Sequence, residues 1–106
     1  MQHNLYTCLP SDKSQEVFQT IATHAKGRIE RIVSNGQSSP EGFWYDQHET
    51  EWVVVLQGEA KILFQGEAQP IHLRSGDHVL IEPRRKHRVA WTSPSEITIW
   101  LAVFFA

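Results

Sequence analysis

Residues 46–58 read DQHETEWVVVLQG, and residues 76–87 read GDHVLIEPRRKH. Both are polar clusters set in sequence rich in β-branched and aromatic residues, which is typical of short β-strands. Carboxylate, amide and imidazole groups that come together inside a small barrel can hold a metal ion. The functional interpretation depends on whether the side chains of these two stretches hold a metal ion.

Length and composition limit the class of protein. The chain has 106 residues, of which 41% are hydrophobic, and this predicts one domain over residues 1–106 with a single core. A formal net charge of -2 argues against the broad positive field that nucleic-acid or anionic-membrane binding needs, so we expect a small-molecule ligand. No apolar run has the length of a signal peptide or membrane span, which predicts a cytoplasmic protein. Cys8 is the only cysteine, so no intramolecular disulfide can form.

The hydrophobic periodicity predicts one helix followed by strands. Between residues 14 and 26 the apolar positions recur at helical spacing, and Gly27 is placed to end a helix. After it come short extended segments separated by turn residues, a pattern of sandwiches and barrels. The predicted strands span residues 28–34, 51–57, 59–65, 69–74, 78–82, 87–92 and 96–105.

Two of these strands, at residues 52–56 and 97–105, carry apolar side chains on both faces. Since side chains alternate across a strand, the outer face of each must also be covered. A second copy of the chain would cover it in a homodimer, and the predicted helix would cover it in a monomer. We expect the homodimer.

The residues of the two polar stretches make the chain resemble the small single-domain bacterial cupins. Gly42, Glu51 and Gly58 fall at the spacing of the first cupin motif, and Gly76 with His87 matches the second. The resemblance implies an all-β fold, a cupin-type double-stranded β-helix or jelly-roll barrel over about residues 28–105. The short N-terminal α-helix that the periodicity predicts at about 14–26 would precede it. The resemblance also implies a metal ion bound by histidines and a glutamate at the open end of the barrel.

The first motif departs from the family pattern. Its two expected histidine positions fall at or beside Tyr45 and Gln47, and the neighbouring His48 points to the opposite face of a regular strand. The implied metal ligands are therefore Gln47, Glu51 and His87, with His48 as a further candidate. Nitrogen and oxygen donors suit divalent iron, manganese, nickel or zinc, and no organic cofactor is predicted.

Two interpretations of the same residues need no metal. Gln47, Glu51 and His87 can form a hydrogen-bonded polar network, or Glu51, the best catalytic candidate, can carry a proton. Strand parity and the resemblance add a pocket lining of four residues, which are Tyr45, Val89, Trp91 and Phe104. The basic stretch over residues 82–88 offers Arg84 and Arg85 to a substrate anion, although a solvated turn is the commoner explanation of such a stretch.

The leading hypothesis is a cupin that binds a divalent metal ion in the barrel and acts on a small organic substrate, as an oxygenase or an isomerase. The alternative is a non-catalytic small-molecule-binding cupin with a metal-free polar pocket. Both place the ligand inside the barrel, because a fold of this kind hosts many activities and the site decides among them.

Overall fold

The computed structural model describes residues 2–106, which form strands, turns and loops but no helix. None of these residues forms a helix able to cross a membrane. The eight strands are β1 Val17–His24, β2 Gly27–Ser34, β3 Thr50–Gln57, β4 Ala60–Phe64, β5 Ile71–Leu73, β6 His78–Ile81, β7 His87–Thr92 and β8 Thr98–Phe105. From β2 onward each strand lies within two residues of its predicted bounds.

The strands form two antiparallel sheets. One has the order β1-β2-β8-β3-β6 and the other the order β5-β4-β7, and together they make a jelly-roll barrel. Alternation along β3 directs Val53 and Val55 into the core, where Trp100 and Ala102 of β8 lie in the neighbouring register. The all-β jelly-roll prediction is confirmed.

The turn after β3 explains one glycine of the first motif. Gly58 has φ of +87°, and a Cβ atom at this position would lie 2.4 Å from Thr98 Oγ1. Both the left-handed backbone and the close approach of β8 therefore require glycine.

The predicted helix over residues 14–26 is wrong, because Val17–His24 is the edge strand β1. β1 pairs antiparallel with β2 through the turn at Ala25 and Lys26. A bulge between Thr20 and Ala22 adds one residue to β1, which shifts the alternation of its side chains. Because of this shift, the apolar residues of β1 recur at intervals that are also typical of an amphipathic helix.

An N-terminal arm, residues 2–13, covers part of the outer face of the large sheet. The buried Arg31 of β2 donates to the carbonyl oxygens of Leu5, Thr7 and Cys8 and to the side-chain oxygen of Gln19. These contacts use all five guanidinium N–H groups, so Arg31 fastens the arm to the sheet.

The cover is incomplete. Leu80 and Phe105 remain 52% and 40% exposed, and strand alternation places both on the outer face. The homodimer therefore stays a prediction.

Candidate functional site

A cavity of about 60 Å³ lies inside the barrel between the two sheets. Its volume has room for a few waters or a molecule of a few heavy atoms. The apolar part of its lining consists of Phe18, Ile32, Val53, Ile62, Ile81, Val89, Trp100 and Phe104. The polar part consists of Glu16, Tyr45, Gln47, Glu51 and His87. Lysine and arginine are absent from this lining, so the cavity is acidic.

The first polar group of the cavity is the Glu51 cluster, which consists of Gln47, Glu51 and His87. Glu51 lies on β3 opposite Phe104, and it is 7% exposed. Gln47 donates from Nε2 to Glu51 Oε1 across 3.0 Å, and His87 Nε2 lies 3.7 Å from the same oxygen. The structure thus brings together the three residues that the two motifs offered.

Backbone contacts hold this cluster in place. Tyr45 and His87 exchange backbone hydrogen bonds of 2.7 and 3.2 Å, which pin the segment before β3 to the start of β7. The Arg84 amide donates to the carbonyl of Gln47 across 2.7 Å. Two loops distant in sequence therefore converge on one end of the barrel.

The ring of His87 has a defined orientation. Its Nδ1 lies 2.9 Å from the carbonyl oxygen of Arg85, and because a carbonyl oxygen only accepts, Nδ1 carries the hydrogen. Neutral His87 then presents a lone pair at Nε2 toward Glu51. The Tyr45 ring stacks on the imidazole at 5.4 Å between centroids, and the two planes differ by 22°. His87 is thereby fixed on two sides.

The second polar group is the Glu16 cluster, which consists of Glu16, Ser34 and Trp100. Trp100 Nε1 donates to Ser34 Oγ across 3.1 Å, and the Ser34 hydroxyl donates to Glu16 Oε2. Ser34 is fully buried and Trp100 is 3% exposed, so the core positions this carboxyl group. Burial raises the pKa of Glu16 above its ordinary value, and the hydrogen bond from Ser34 opposes that rise.

Sequence reasoning missed Glu16. It precedes β1 by one residue and lies two residues before Phe18, so an extended backbone directs both side chains to the same side of the sheet, where both line the cavity. Reading residues 14–26 as a helix concealed this parity. A strand assignment for β1 was the signal that could have found it.

Burial and the carboxyl groups of both clusters raise the pKa of the Tyr45 hydroxyl. Burial has the largest effect on this pKa, and the negative charges of Glu16, Glu51 and Glu30 add to it. The hydroxyl therefore stays protonated and remains a hydrogen-bond donor at physiological pH. Its ring at the same time orients His87.

The residues present fit a metal ion only in part. Within residues 2–106, no group of three or more histidine, cysteine, aspartate or glutamate side chains is placed to hold one. Glu51 and His87 supply two strong donors, and the third position is the amide of Gln47, a weak ligand whose NH₂ group faces Glu51. Structural and catalytic metal sites ordinarily use at least three strong protein donors.

Trp91 does not line the cavity, and the prediction that it does is wrong. In the pairing of β4 with β7, Lys61 faces Trp91 and Ile62 faces Val89, so Ala90 is an extra residue. This bulge reverses the parity after Val89, which stays in the lining while Trp91 leaves it. The centroid of the Trp91 ring instead lies 5.3 Å from Lys61 Nζ, outside the barrel.

Three other candidates lie outside the cavity lining. His48 is exposed, so the structure does not bring it to the Glu51 cluster. Arg84 is paired with Asp46 at 3.4 Å and is largely exposed. Arg85 donates to the carbonyl of Gln65 across 2.8 Å and lies over the ring of Phe64. Each guanidinium group already has a partner in the protein.

Phe104 does line the cavity, and its ring also contacts a charged group that the sequence did not single out. The Arg28 guanidinium lies 4.0 Å from the centroid of the Phe104 ring. It also pairs with Glu30 and Glu49. Because two carboxylates neutralise Arg28, it leaves the acidity of the cavity unchanged.

The sequence comparisons agree with this architecture. The family model for the cupin domain, Cupin_2, matches residues 29–104. No curated protein is significantly similar to the chain.

Solved structures of similar proteins share the fold. A protein from Ralstonia eutropha JMP134, named as a candidate mannose-6-phosphate isomerase, is 43% identical, has a TM-score of 0.95 and aligns over 99% of this chain and 97% of its own. A cupin superfamily protein from Desulfitobacterium hafniense DCB-2 is 18% identical, with a TM-score of 0.74 over 92% of this chain and 83% of its own. A conserved protein with a double-stranded β-helix domain from Klebsiella pneumoniae MGH 78578 is also 18% identical, with a TM-score of 0.78 over 98% of this chain and 88% of its own.

Proposed function

The chain belongs to the cupin family, and on that premise we propose that it binds a small organic molecule in the barrel cavity without requiring a metal ion. One observation carries the proposal. The Glu51 cluster is a buried polar group inside a largely apolar cavity, which is the usual composition of a small-molecule site.

The cluster leaves atoms free for a ligand. Among the described residues, Glu51 Oε1 accepts the hydrogen bond from Gln47, and Oε2 has no protein donor. The Nε2 atom of His87, which has no backbone partner, faces the same space, and Tyr45 offers a hydroxyl donor. The cavity is therefore matched to a compact molecule that donates more hydrogen bonds than it accepts.

The same features argue against a sugar phosphate, the substrate class in the name of the Ralstonia protein. A phosphate group is held by arginine, lysine or a run of backbone N–H groups, and the cavity lining instead carries two carboxyl groups. A phosphate would have to bind outside the cavity, at Arg84 or Arg85, after displacing their present partners. The cavity itself is also small for a sugar ring.

A divalent metal ion is the second candidate, and one observation favours it. The lone pair of His87 Nε2 faces Glu51 Oε1 at 3.7 Å, so a cation between the two atoms would be bound by both. Glu51, His87 and a flipped Gln47 amide would then hold iron, manganese, nickel or zinc. A bound ion would supply Lewis-acid activation of water or substrate, as in a cupin oxygenase or isomerase.

Metal analysis of protein purified without chelators separates the two candidates. We expect substoichiometric metal in the parent and a melting temperature that a chelator leaves unchanged. Small neutral and cationic organic compounds are then screened for stabilisation, which ligand binding produces by mass action. Stabilisation by a binder should disappear in Glu51→Gln and persist in the matched surface control Glu67→Gln. A stoichiometric metal that is lost in Glu51→Ala and His87→Ala would establish the second candidate instead.

The predicted homodimer would bury the exposed apolar residues of the outer face, of which Leu80 is an example. Light scattering on the parent and on Leu80→Glu tests it. A parent dimer that becomes monomeric in the variant supports the prediction, and a parent monomer contradicts it. The cytoplasmic location also stays a prediction.

A further inference from the structure

Glu16 is a carboxyl group that the Glu51 cluster does not use. It lines the cavity, and its one hydrogen-bond partner among the described residues is the neutral Ser34 hydroxyl. No lysine, arginine or histidine within residues 2–106 forms an ion pair with it. A partly buried carboxylate without a cationic partner is costly, so such a group stays neutral or meets a cation from outside the protein.

The surroundings of Glu16 favour a cation. Four aromatic rings line the cavity, and they belong to Phe18, Tyr45, Trp100 and Phe104. The faces of aromatic rings attract organic cations, and of these rings Trp100 and Phe104 are buried whereas Phe18 is half exposed at the edge of the cavity. Glu51 adds a second negative group to the same cavity, and the lining carries no permanent positive charge.

We propose that Glu16 binds the ammonium group of a small amine that occupies the cavity. The inference rests on the proposed function, because it names the class of ligand that the cavity takes. Glu16 Oε1, which is free of the Ser34 hydrogen bond, accepts from the ammonium N–H, and the aromatic rings surround the alkyl part. The volume of about 60 Å³ limits the amine to a few heavy atoms.

The hydrogen-bond network prepares Glu16 for this role. Trp100 and Ser34 hold one carboxyl oxygen through two hydrogen bonds in series, so the second oxygen has a restricted position. A preorganised acceptor loses less conformational freedom on binding than a mobile surface glutamate. Glu16 is thus distinguished from the exposed Glu67 by both placement and rigidity.

Methylammonium chloride is the probe, and methanol is the uncharged control at equal ionic strength. The indole Nε1–H signal of Trp100, assigned with Trp100→Phe, reports binding because this group lies two hydrogen bonds from the carboxyl group. We expect a saturable shift with methylammonium in the parent and in Glu67→Gln. Glu16→Gln should bind about tenfold more weakly or worse, the loss expected for one charge-assisted hydrogen bond.

Glu16→Gln retains an amide oxygen that accepts from Ser34, so the variant is expected to fold. Three results would overturn the proposal. These are the absence of a saturable shift in the parent, equal affinity in Glu16→Gln, or equal affinity for methanol. In the second case, a loss of affinity in Glu51→Gln would place the ammonium group at the other carboxylate.

The titration is carried out on chelator-treated protein, which separates this inference from the proposed function. If metal analysis finds a stoichiometric ion but methylammonium still binds through Glu16, the metal-free proposal fails and the amine site stands. The parent can instead be metal-free and bind another compound through Glu51 while methylammonium does not bind. In that case the metal-free proposal stands and the amine site at Glu16 fails.

Discussion

The Glu51 and Glu16 clusters place two carboxyl groups on one cavity in different ways. In the Glu51 cluster an amide and an imidazole adjoin the carboxylate, and loop backbone fixes both neighbours. In the Glu16 cluster a hydroxyl and an indole from the sheet interior fix the carboxyl group. A motif thus identifies one half of the polar lining of the cavity, whereas the other half comes from core residues without a motif.

The difference has a chemical consequence. In the Glu51 cluster the carboxyl group has two polar neighbours within the protein, the Gln47 amide that donates to Oε1 and the His87 ring at 3.7 Å. The Glu16 cluster contains no titratable partner, so its charge is balanced only by protonation or by a ligand. We therefore expect the Glu51 cluster to contribute more to stability and the Glu16 cluster to contribute more to ligand selection.

Removal of the His87 ring should have the largest effect on stability. His87→Ala leaves a buried void beside Tyr45 and Phe64, and it deprives the Arg85 carbonyl of its donor. Urea denaturation should show a loss of about 2–4 kcal/mol in the free energy of unfolding. The exposed neighbour His48 serves as the control, and His48→Ala should change this free energy by less than about 0.5 kcal/mol. Equal losses in the two variants would mean that the cluster is not a stabilising unit.

Removal of the indole N–H at the other cluster should have a smaller effect. Trp100→Phe keeps an aromatic ring in the core and removes the donor to Ser34. We expect a loss of about 1–2 kcal/mol from the missing hydrogen bond and the reduced volume. Trp91→Phe, outside the barrel, should cost less than about 0.5 kcal/mol. A loss in Trp100→Phe that exceeds the loss in His87→Ala would reverse the order of the two clusters.

The smallest of the three predicted effects is the change with pH in the stability that Glu16 contributes. Because its pKa is raised by burial, folded Glu16 holds its proton more tightly than unfolded Glu16, whose ordinary value is 4.5. The stability from Glu16 is therefore fully present below that value and is lost as the pH rises through the folded pKa. The free energy of unfolding of the parent minus that of Glu16→Gln should fall with increasing pH over this window.

Urea denaturation of the two proteins from pH 4 to pH 8 measures that difference, since the other titrating groups are common to both. Glu67→Gln, the same substitution at an exposed turn, provides the baseline. A difference that rises with pH would contradict a raised pKa at Glu16.

The sequence predicted most of the fold because turn residues separate the strands, and this separation is visible in a single sequence. Every strand from β2 to β8 was predicted near its observed bounds, and Glu51 and His87 were located through their motifs. These features depend on local residue types and on spacing, which the chain displays directly.

The errors share one physical cause. The bulge in β1 and the bulge in β7 each insert one residue, and each reverses which side chains face the barrel. The first error turned a strand into a helix and concealed Glu16, and the second placed Trp91 in the pocket. A bulge depends on pairing with a distant strand, so local periodicity does not reveal it.

Both clusters face one cavity, and we propose that this cavity takes a small organic cation without a metal ion. A methylammonium titration of chelator-treated protein, followed at the Trp100 indole and the His87 ring together by NMR, tests it most directly. We predict that both signals follow one saturation curve with one dissociation constant. Signals that respond only after zinc is added, or that follow two separate curves, would contradict the claim.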